Sequence, residues 1–447
     1  MRRLHSRADE ALAFADAVES GLKPVERSFT YISRTGRRGL GIDPSGAARL
    51  TVQNGKLGGY VLLSSDRHEL YVHTPDMAVG EASRVLEAGR AQISLGRPRR
   101  AAASAVLHPD ASVTGDGWHN VEESDELEPL AAEPGPLLER LTDGTGAECA
   151  LRAVNVTEVL SESVCAASEG ARAVSTCRGV ELHATAADTD GTVGASLSRC
   201  AATLDRVDAV GLGLELALTV GALAPPAADF DGPEVCFTPS AAAQLLRAVV
   251  ASLLLNPMVD CPPLGLALVD DGRAEDGPAA HAFDCEGTPT GAMELVTGQG
   301  TQRGIATRLT SVAGTDGAPV ERLTGHARWD PVRNLPLPAA TNVRLEPADR
   351  LEDPWAGERC VVADVRSLGV EEHRSSGKLA FRLLAVRAVD GLPAHAYTPM
   401  VVEGEAAAFL AAITGAGETV SYCPGPFAVG GADLVMDLSR LRSKSEA

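Results

Sequence analysis

A strongly apolar helix with clear start and stop signals divides a chain that otherwise shows mainly strand patterns. Thr238 is a natural N-cap, Pro239 a natural first helical residue, and Asn256–Pro257 a stop. The apolar stretch 241–255 is interrupted by polar residues and is shorter than the ~20 residues that cross a bilayer. We therefore expect a helix that is buried in a protein core.

The half of the chain before this helix mixes helix and strand patterns. A capping-box-like start at Ser6 and Asp9 predicts a helix that ends near Gly21, and residues 78–89 have the spacing of a second helix. Between the two, apolar runs broken by Gly-rich turns predict strands, with a hairpin turn at Asn54–Gly55. More strands are predicted within residues 174–197.

Two polar segments interrupt these patterns. Residues 113–136 are acidic and rich in Pro and Gly, which predicts a solvated loop. Pro225–Pro226, followed by Ala-rich and acidic residues, is the best candidate for a domain boundary. A chain of 447 residues has room for two domains, since single cores stop growing at roughly 250–300 residues. We predict domains at 1–228 and 233–447.

Strand patterns dominate the chain after Cys261, and the helical segment 405–414 is the clear exception. The sequence therefore predicts an α+β protein. Its N-terminal α/β domain combines helices with a mixed sheet, and its C-terminal domain is predominantly β with a central capped helix.

Charge and cysteine usage exclude several classes of partner. A net charge of −20 and a pI near 4.9 argue against nucleic acid or anionic membrane, because phosphate binding needs clustered Lys and Arg. The nine cysteines show no C-x-x-C spacing, so neither a disulfide framework nor a zinc ribbon is expected. The N-terminus is charged where a secretory signal would be apolar, which predicts a cytoplasmic protein.

Five segments of the second half occur in an order that resembles the C-terminal half of the TldD/PmbA peptidase family. They are the strand leading into the capped helix, LGLALVDDG at 264–272, FDCEGTPT at 283–290, TGHAR at 324–328 and TNVRLEP at 341–347. Each segment is weak evidence alone, but five in order rarely arise by chance. The resemblance also implies that residues 211–223, whose leucines alternate as in a strand, form a helix.

The same family contains a TldD-like subunit that holds zinc on a helix with the pattern H-E-x-x-x-H, and a TldE/PmbA-like subunit that pairs with it. In this chain the corresponding positions are Arg247, Ala248 and Ser252. Arginine is a permanent cation, whereas zinc needs imidazole, thiolate or carboxylate ligands. The zinc half also uses a cysteine from a Cys-Gly-Lys stretch, which SYCPGPF around Cys423 matches poorly. The chain therefore resembles the TldE-like subunit, without a cofactor of its own.

This resemblance implies a role in a hetero-oligomeric zinc peptidase. A TldD-like partner would supply the zinc, the glutamate base and the activated water, and this chain would form part of the peptide channel. The substrate would be an unfolded or modified peptide, or a peptide-like biosynthetic intermediate. Strand-rich walls suit this role because an extended peptide can pair with a strand edge. The candidate channel residues are Arg247, Asp284, Cys285, Glu286, Gly287 and Asn342.

Two other functions stay open. The chain could be a non-enzymatic binding or assembly protein of the same fold, for example a homodimer. It could also be a divergent enzyme that uses Cys285 or Cys423, where the family has D-D-E-G in place of residues 284–287. Independently of these functions, Arg247 on the capped helix either pairs with an acidic residue at the edge of the core, which we favour, or holds a substrate carboxylate.

Two further groups of residues could be mistaken for metal sites. An H-E-x-x-x-H does occur at His68–His73, but its surroundings predict a strand, in which residues five apart point to opposite faces. His281, Asp284, Cys285 and Glu286 offer several ligand types close together. We favour the alternative that the two carboxylates hydrogen-bond to a turn before Gly287.

Overall fold

The protein has a mixed α+β fold, as the sequence predicts. The computed structural model describes residues 8–65, 68–74, 78–95, 127–147, 149–168, 170–255, 263–305, 307, 323–347, 350–351, 357–368 and 378–445. Among the described helices, none is long and apolar enough to cross a membrane.

Seven α-helices occur within these residues. They are α1 Ala8–Ser20, α2 Glu81–Leu95, α3 Leu127–Ala132, α4 Gly135–Thr145, α5 Ala209–Leu223, α6 Pro239–Leu255 and α7 Ala406–Ala412. The strands of the first half are β1 Glu26–Ile42, β2 Ala48–Ser65, β3 His68–Thr74, β4 Cys149–Ala167, β5 Arg172–Asp188 and β6 Gly194–Ala201.

The remaining strands follow the predicted domain boundary at 228–233. They are β7 Glu234–Phe237, β8 Leu266–Asp271, β9 Ala292–Val296, β10 Ala327–Asp330, β11 Leu335–Pro338, β12 Asn342–Pro347, β13 Arg350–Leu351, β14 Glu358–Ser367, β15 Lys378–Val389, β16 Leu392–Ala396, β17 Met400–Glu405, β18 Ile413–Gly417, β19 Ser421–Cys423, β20 Ala428–Gly431, β21 Leu434–Asp437 and β22 Arg442–Ser445.

A long sheet runs through both halves of the chain. In the described residues it has eleven strands, in the order β3-β2-β1-β4-β5-β6-β19-β20-β12-β8-β9. The first six strands belong to the N-terminal half, and the pair Cys200–Tyr422 joins them to the C-terminal half. The predicted boundary between 228 and 233 therefore lies outside this sheet. The sheet, however, contains strands from both sides of that boundary. The division into two domains stays a prediction.

The N-terminal part of this sheet has a different neighbour on each face. Ile32 and Val164 lie on the face that packs against α1 and α2, together with Phe14 of α1. Further along the same strands, α3, α4 and α5 cover Leu40 and Val156. The opposite face carries Tyr31 and turns toward the C-terminal half. Alternation along β1 thus separates a helix-covered face from a face that is available to a site.

The predicted hairpin turn at Asn54–Gly55 is wrong, because both residues lie inside the eighteen-residue strand β2. The β1–β2 register shifts opposite them, between Thr35 and Arg37, which marks a β-bulge. The actual turn lies around Asp43, whose carboxylate accepts hydrogen bonds from Ser45 N and Ala47 N. Gly and Asn suit a bulge as well as a turn, so the sequence signal was ambiguous.

The loop predicted at 113–136 is wrong in its last part, where α3 lies and α4 begins. Leu127 of α3, together with Leu137 and Leu141 of α4, is buried against the sheet. Three buried leucines outweigh the acidic and Pro-rich composition of this segment. Residues 113–126 lie outside the described part of the chain.

The second large sheet closes the C-terminal half. Its described strands follow the order β13-β18-β21-β7-β14-β15-β17-β22, and β16 pairs with β15. Helix α6 packs between this sheet and the long one, touching β14 on one side and β20 on the other. Its predicted start is confirmed, since Thr238 Oγ1 accepts a hydrogen bond from Ala241 N at 3.2 Å. The helices predicted at 211–223 and 405–414 are confirmed as α5 and α7.

Candidate functional site

A cleft of about 450 Å³ lies where the open face of β1 and β4 meets loops of the C-terminal half. Such a volume falls within the ~300–1,000 Å³ of small-ligand sites, which often form where two parts of a fold meet. Loop residues 279–285, the hairpin β10–β11 and residues 426–427 form its C-terminal walls.

Hydroxyl groups form the floor of the cleft. Ser33 and Thr35 of β1 pair with Ser163 and Ser161 of β4, so all four side chains share one face. Thr35 Oγ1 and Ser161 Oγ are 3.4 Å apart, and the Tyr31 hydroxyl is 3.3 Å from Ser163 Oγ. Hydroxyls both donate and accept hydrogen bonds, so this floor can bind peptide-like groups without charge selection.

A cluster of buried aromatic rings packs against Tyr31 and Trp329, two residues that line the cleft. Tyr60 is the centre of the cluster, with ring centroids 4.4 Å from Trp329, 5.1 Å from Tyr71 and 5.8 Å from Tyr31. Its hydroxyl donates to the carbonyl oxygen of Cys285 at 2.6 Å, and burial raises its pKa well above the usual value. Tyr60 thus ties a strand of the N-terminal half to the loop that lines the cleft.

Asp284 shapes this loop by binding backbone amides. Its carboxylate accepts from Glu286 N and Thr288 N at 2.9 Å and from Ala327 N at 3.0 Å. Residues 284–287 form a turn rather than a strand, with Gly287 at a φ of 77°. The hypothesis that this acid hydrogen-bonds to a turn is confirmed for Asp284.

Burial, and then the nearby charge of Glu286, raises the pKa of Asp284 to about 8 despite these three amide donors. The stabilisation from protonated Asp284 is therefore complete below pH ~4 and is lost as pH rises toward 8. Relative to Asp284→Asn, the wild type should lose up to about 1.4 kcal/mol of unfolding free energy per pH unit within this window. Urea titrations of both proteins from pH 5 to 8 measure this slope. A constant difference across the range would contradict it.

A buried polar network joins the segments that carry the family resemblance. Asp270 is fully buried and accepts from Thr341 Oγ1 at 2.6 Å and from Asn342 N at 3.0 Å. The Asn342 side chain accepts from Ala279 N and donates to the Asp271 carbonyl, both at 3.0 Å. Asn342 therefore holds the loop at the cleft wall rather than facing the cleft.

Neither thiol singled out in the sequence has the surroundings of a free nucleophile. Burial and the charge of Asp284 raise the pKa of Cys285 well above its usual value, so this thiol is protonated. Cys423 is buried, and its sulfur lies 3.0 Å from Nη1 of Arg199. Arg199 in turn forms a buried ion pair with Glu215 of α5.

Helix α6 carries Arg247, Ala248 and Ser252, and Arg247 reaches the loop between β19 and β20. Its Nη2 donates to the carbonyl oxygens of Cys423 at 3.0 Å and Pro424 at 2.9 Å. Any side chain at Gly425 would collide with this guanidinium, since a Cβ there would lie 2.7 Å from Nε. Neither predicted partner of Arg247, an acid or a substrate carboxylate, is needed to explain its position.

These contacts test whether α6 could hold zinc, and the residues do not fit. A guanidinium fills the space between the helix and residues 423–425, and neither Ala248 nor Ser252 offers an imidazole, thiolate or carboxylate. Within the described residues, no three His, Cys, Asp or Glu side chains converge in a metal-binding arrangement.

Replacing Arg247 with methionine should lower the free energy of unfolding by about 2–4 kcal/mol, because two hydrogen bonds from a charged group are lost. Arg247→Lys is the matched control; it keeps the charge but not the planar fork, and should lose less. Urea denaturation monitored by fluorescence measures both. Equal stability of wild type and Arg247→Met would show that the guanidinium contacts contribute nothing.

The candidate channel residues occupy different places. Asp284 and Cys285 line the cleft, whereas Arg247, Glu286, Gly287 and Asn342 are not among its lining residues. Their role in a substrate channel stays a prediction. The sequence reasoning missed the hydroxyl floor and Tyr60, although the alternation of Tyr31, Ser33 and Thr35 along a strand was a usable signal.

The H-E-x-x-x-H pattern at His68–His73 lies on β3, as predicted for a strand. His73 is exposed on this strand and pairs through its backbone with Tyr60. The side chains of His68 and Glu69 lie outside the described part of the structure.

Comparisons with known proteins agree with this architecture. Residues 262–437 match the family model of the PmbA/TldA metallopeptidase C-terminal domain. No curated protein matches the sequence.

Solved structures of the same fold cover nearly the whole chain. TldE from Thermococcus kodakarensis superposes with a TM-score of 0.70 at 13% identity, covering 98% of this chain and 100% of its own. A protein of Thermotoga maritima, described as a candidate modulator of a DNA gyrase, gives 0.69 at 14% identity, covering 97% and 98%. A similarly described protein of Bacteroides thetaiotaomicron gives 0.66 at 13%, covering 98% of each chain. At these identities the likeness shows the fold.

Proposed function

Because residues 262–437 match the C-terminal domain of the PmbA/TldA metallopeptidase family and the chain has the fold of TldE, we propose that this chain is the metal-free subunit of a hetero-oligomeric peptidase. A TldD-like partner holds the zinc and performs the hydrolysis, and this chain contributes to the peptide path. The substrate is an unfolded or modified peptide, or a peptide-like biosynthetic intermediate.

The observation that carries the proposal is the position of Arg247. On the helix where a zinc-bearing subunit needs its first ligand, a guanidinium is committed to two carbonyl oxygens of the β19–β20 loop. A cation there excludes a second cation, and moving it would break both hydrogen bonds. Hydrolysis by this fold therefore depends on groups that another polypeptide supplies.

The cleft supports a role in holding the peptide. Hydroxyls such as Ser33 and Ser161 offer donors and acceptors to a backbone, while Trp329 and Phe283 offer apolar contact to side chains. The described lining contains two arginines, Arg34 and Arg328, together with the acidic residues Glu162 and Asp284, so it holds no cluster of cations. Binding by such a surface selects extended peptide over nucleic acid, whose phosphates need clustered cations.

Co-expression with a zinc-bearing homologue tests the proposal. The tagged chain should retain a homologue that carries H-E-x-x-x-H in equal amount through size exclusion, and the pair should cleave casein-derived peptides that neither chain cleaves alone. The partner's motif glutamate mutated to glutamine is the control and should abolish cleavage without loss of the complex. Elution of the chain as a homodimer, with no bound homologue, would favour a binding or assembly protein instead.

A further inference from the structure

One histidine of the cleft presents an unused nitrogen. His281 Nδ1 lies 2.8 Å from the carbonyl oxygen of Ala279, which can only accept, so Nδ1 carries the proton. Within the described residues, the other ring nitrogen, Nε2, has no hydrogen-bond partner, and it is not sealed in the interior. His281 lines the cleft, so this nitrogen offers a lone pair to whatever occupies it.

Backbone contacts fix the position of this ring. His281 N donates to the Gly272 carbonyl at 2.9 Å, and Thr290 Oγ1 donates to the His281 carbonyl oxygen. Burial lowers the pKa of His281, and nearby His326 acts in the same direction, against the Ala279 hydrogen bond and Asp270. At neutral pH the imidazole is therefore an uncharged acceptor on a rigid support.

Apolar groups surround the rest of this wall. Phe283, Trp329 and Phe427 line the same cleft, together with Pro331 and Pro426. Arg328 also lines it, but its guanidinium donates to the Pro426 carbonyl oxygen at 2.6 Å. A ligand therefore meets an aromatic surface next to one neutral acceptor, an arrangement that suits an apolar side chain beside an N–H donor.

We propose that the cleft selects a peptide segment with an apolar side chain, and that His281 Nε2 accepts the N–H of a peptide bond adjacent to that side chain. This assignment rests on the peptide-binding role proposed above and adds the residue that reads the backbone. Because the acceptor is neutral, it distinguishes an N–H donor from a carbonyl or carboxylate, both of which it repels.

Binding of defined peptides to the full chain tests this assignment. The probe is fluorescein-labelled Ala-Ala-Leu-Ala-Ala with blocked ends, compared with its Glu analogue and with two analogues that are N-methylated at the leucine or at the next residue. In the wild type, we expect the Leu probe to bind about 10-fold more tightly than the Glu analogue, and one N-methylation to weaken binding about 5- to 10-fold.

Variants of His281 connect the methylation effect to this residue. His281→Phe keeps an aromatic ring but has no nitrogen acceptor. In this variant, N-methylation of the peptide should change its affinity less than 2-fold. His281→Gln, which can place an oxygen near the same point, should recover part of the effect. Circular dichroism melting checks that both variants are folded.

The outcomes separate this inference from the proposed function. Equal methylation effects in wild type and His281→Phe would overturn the role of His281, and so would tight binding of the Glu analogue. If the wild type binds none of the probes yet forms the active complex with the zinc-bearing homologue, the inference fails while the subunit role stands. If the chain binds the Leu probe as expected but never joins such a homologue, the subunit role fails.

Discussion

Replacing Glu215 with glutamine should lower the free energy of unfolding by about 3–5 kcal/mol, because it leaves the guanidinium of Arg199 buried without a counter-charge. Glu215 and Arg199 are 3% exposed each, and the Glu215 carboxylate also accepts from Ser240 N at 3.0 Å, at the start of α6. Arg199 in turn reaches the sulfur of Cys423. The pair therefore joins α5 and β6 to the elements that carry Arg247.

A matched variant separates charge from packing in this pair. The double substitution Arg199→Met with Glu215→Leu removes both charges and keeps apolar volume, so it should be within about 2 kcal/mol of wild type. Urea denaturation at pH 7 measures all three proteins. If Glu215→Gln alone unfolds at the wild-type midpoint, the ion pair does not hold the two halves together.

Replacing Asp270 with alanine should cost about 3–5 kcal/mol, because it leaves three buried donors without an acceptor. These donors are the amides of Thr341 and Asn342 and the Thr341 hydroxyl, at 2.6–3.0 Å from Oδ1. Oδ2 also lies 3.6 Å from His326 Nε2, so the loss extends to the residue that precedes β10. Thr341 lines the cleft, and the effect should reach the cleft wall.

Hydrogen exchange locates this effect. In Asp270→Ala, the amides of Thr341 and Asn342 should exchange more than tenfold faster than in wild type, whereas the exposed control Asp229→Ala should leave them unchanged. Thermal unfolding supplies the stability difference. Unchanged protection of both amides would mean that the carboxylate does not organise this part of the wall.

Local signals predicted much of the fold. The Thr238 cap and the apolar face of α6 were readable because both depend on residues a few positions apart. The turn role of Asp284 was readable for the same reason, since two of its three partners lie within four residues. Local sequence predictions of this kind are correct when the tertiary structure favours the same local conformation.

The cleft could not be predicted in the same way. Its floor joins Tyr31 to Ser163, 132 positions apart, and the buried Tyr60 behind it bonds to the carbonyl of Cys285, 225 positions apart. The sequence of a strand does not specify which distant strand it pairs with, because one strand face can pair with many others. The pairing of Cys200 with Tyr422 in the long sheet could not be predicted from the sequence for the same reason.

The position of Arg247 shows where sequence and structure each contribute. The residue type alone argues against a metal on α6, but only the structure reveals what the side chain does instead. Its guanidinium connects α6 to Cys423 and Pro424, and Arg328 connects β10 to Pro426. Two arginines thus hold the loop that forms one wall of the cleft.

Metal content and activity of the purified chain test most directly the proposal that this chain depends on a zinc-bearing partner. The full chain is incubated with Zn²⁺, dialysed and measured by mass spectrometry for bound metal, with peptide cleavage assayed on the same sample. We expect substoichiometric zinc and no cleavage until a zinc-bearing homologue is added. One zinc per chain, lost in Ser252→Ala, together with cleavage by the chain alone, would contradict the assignment.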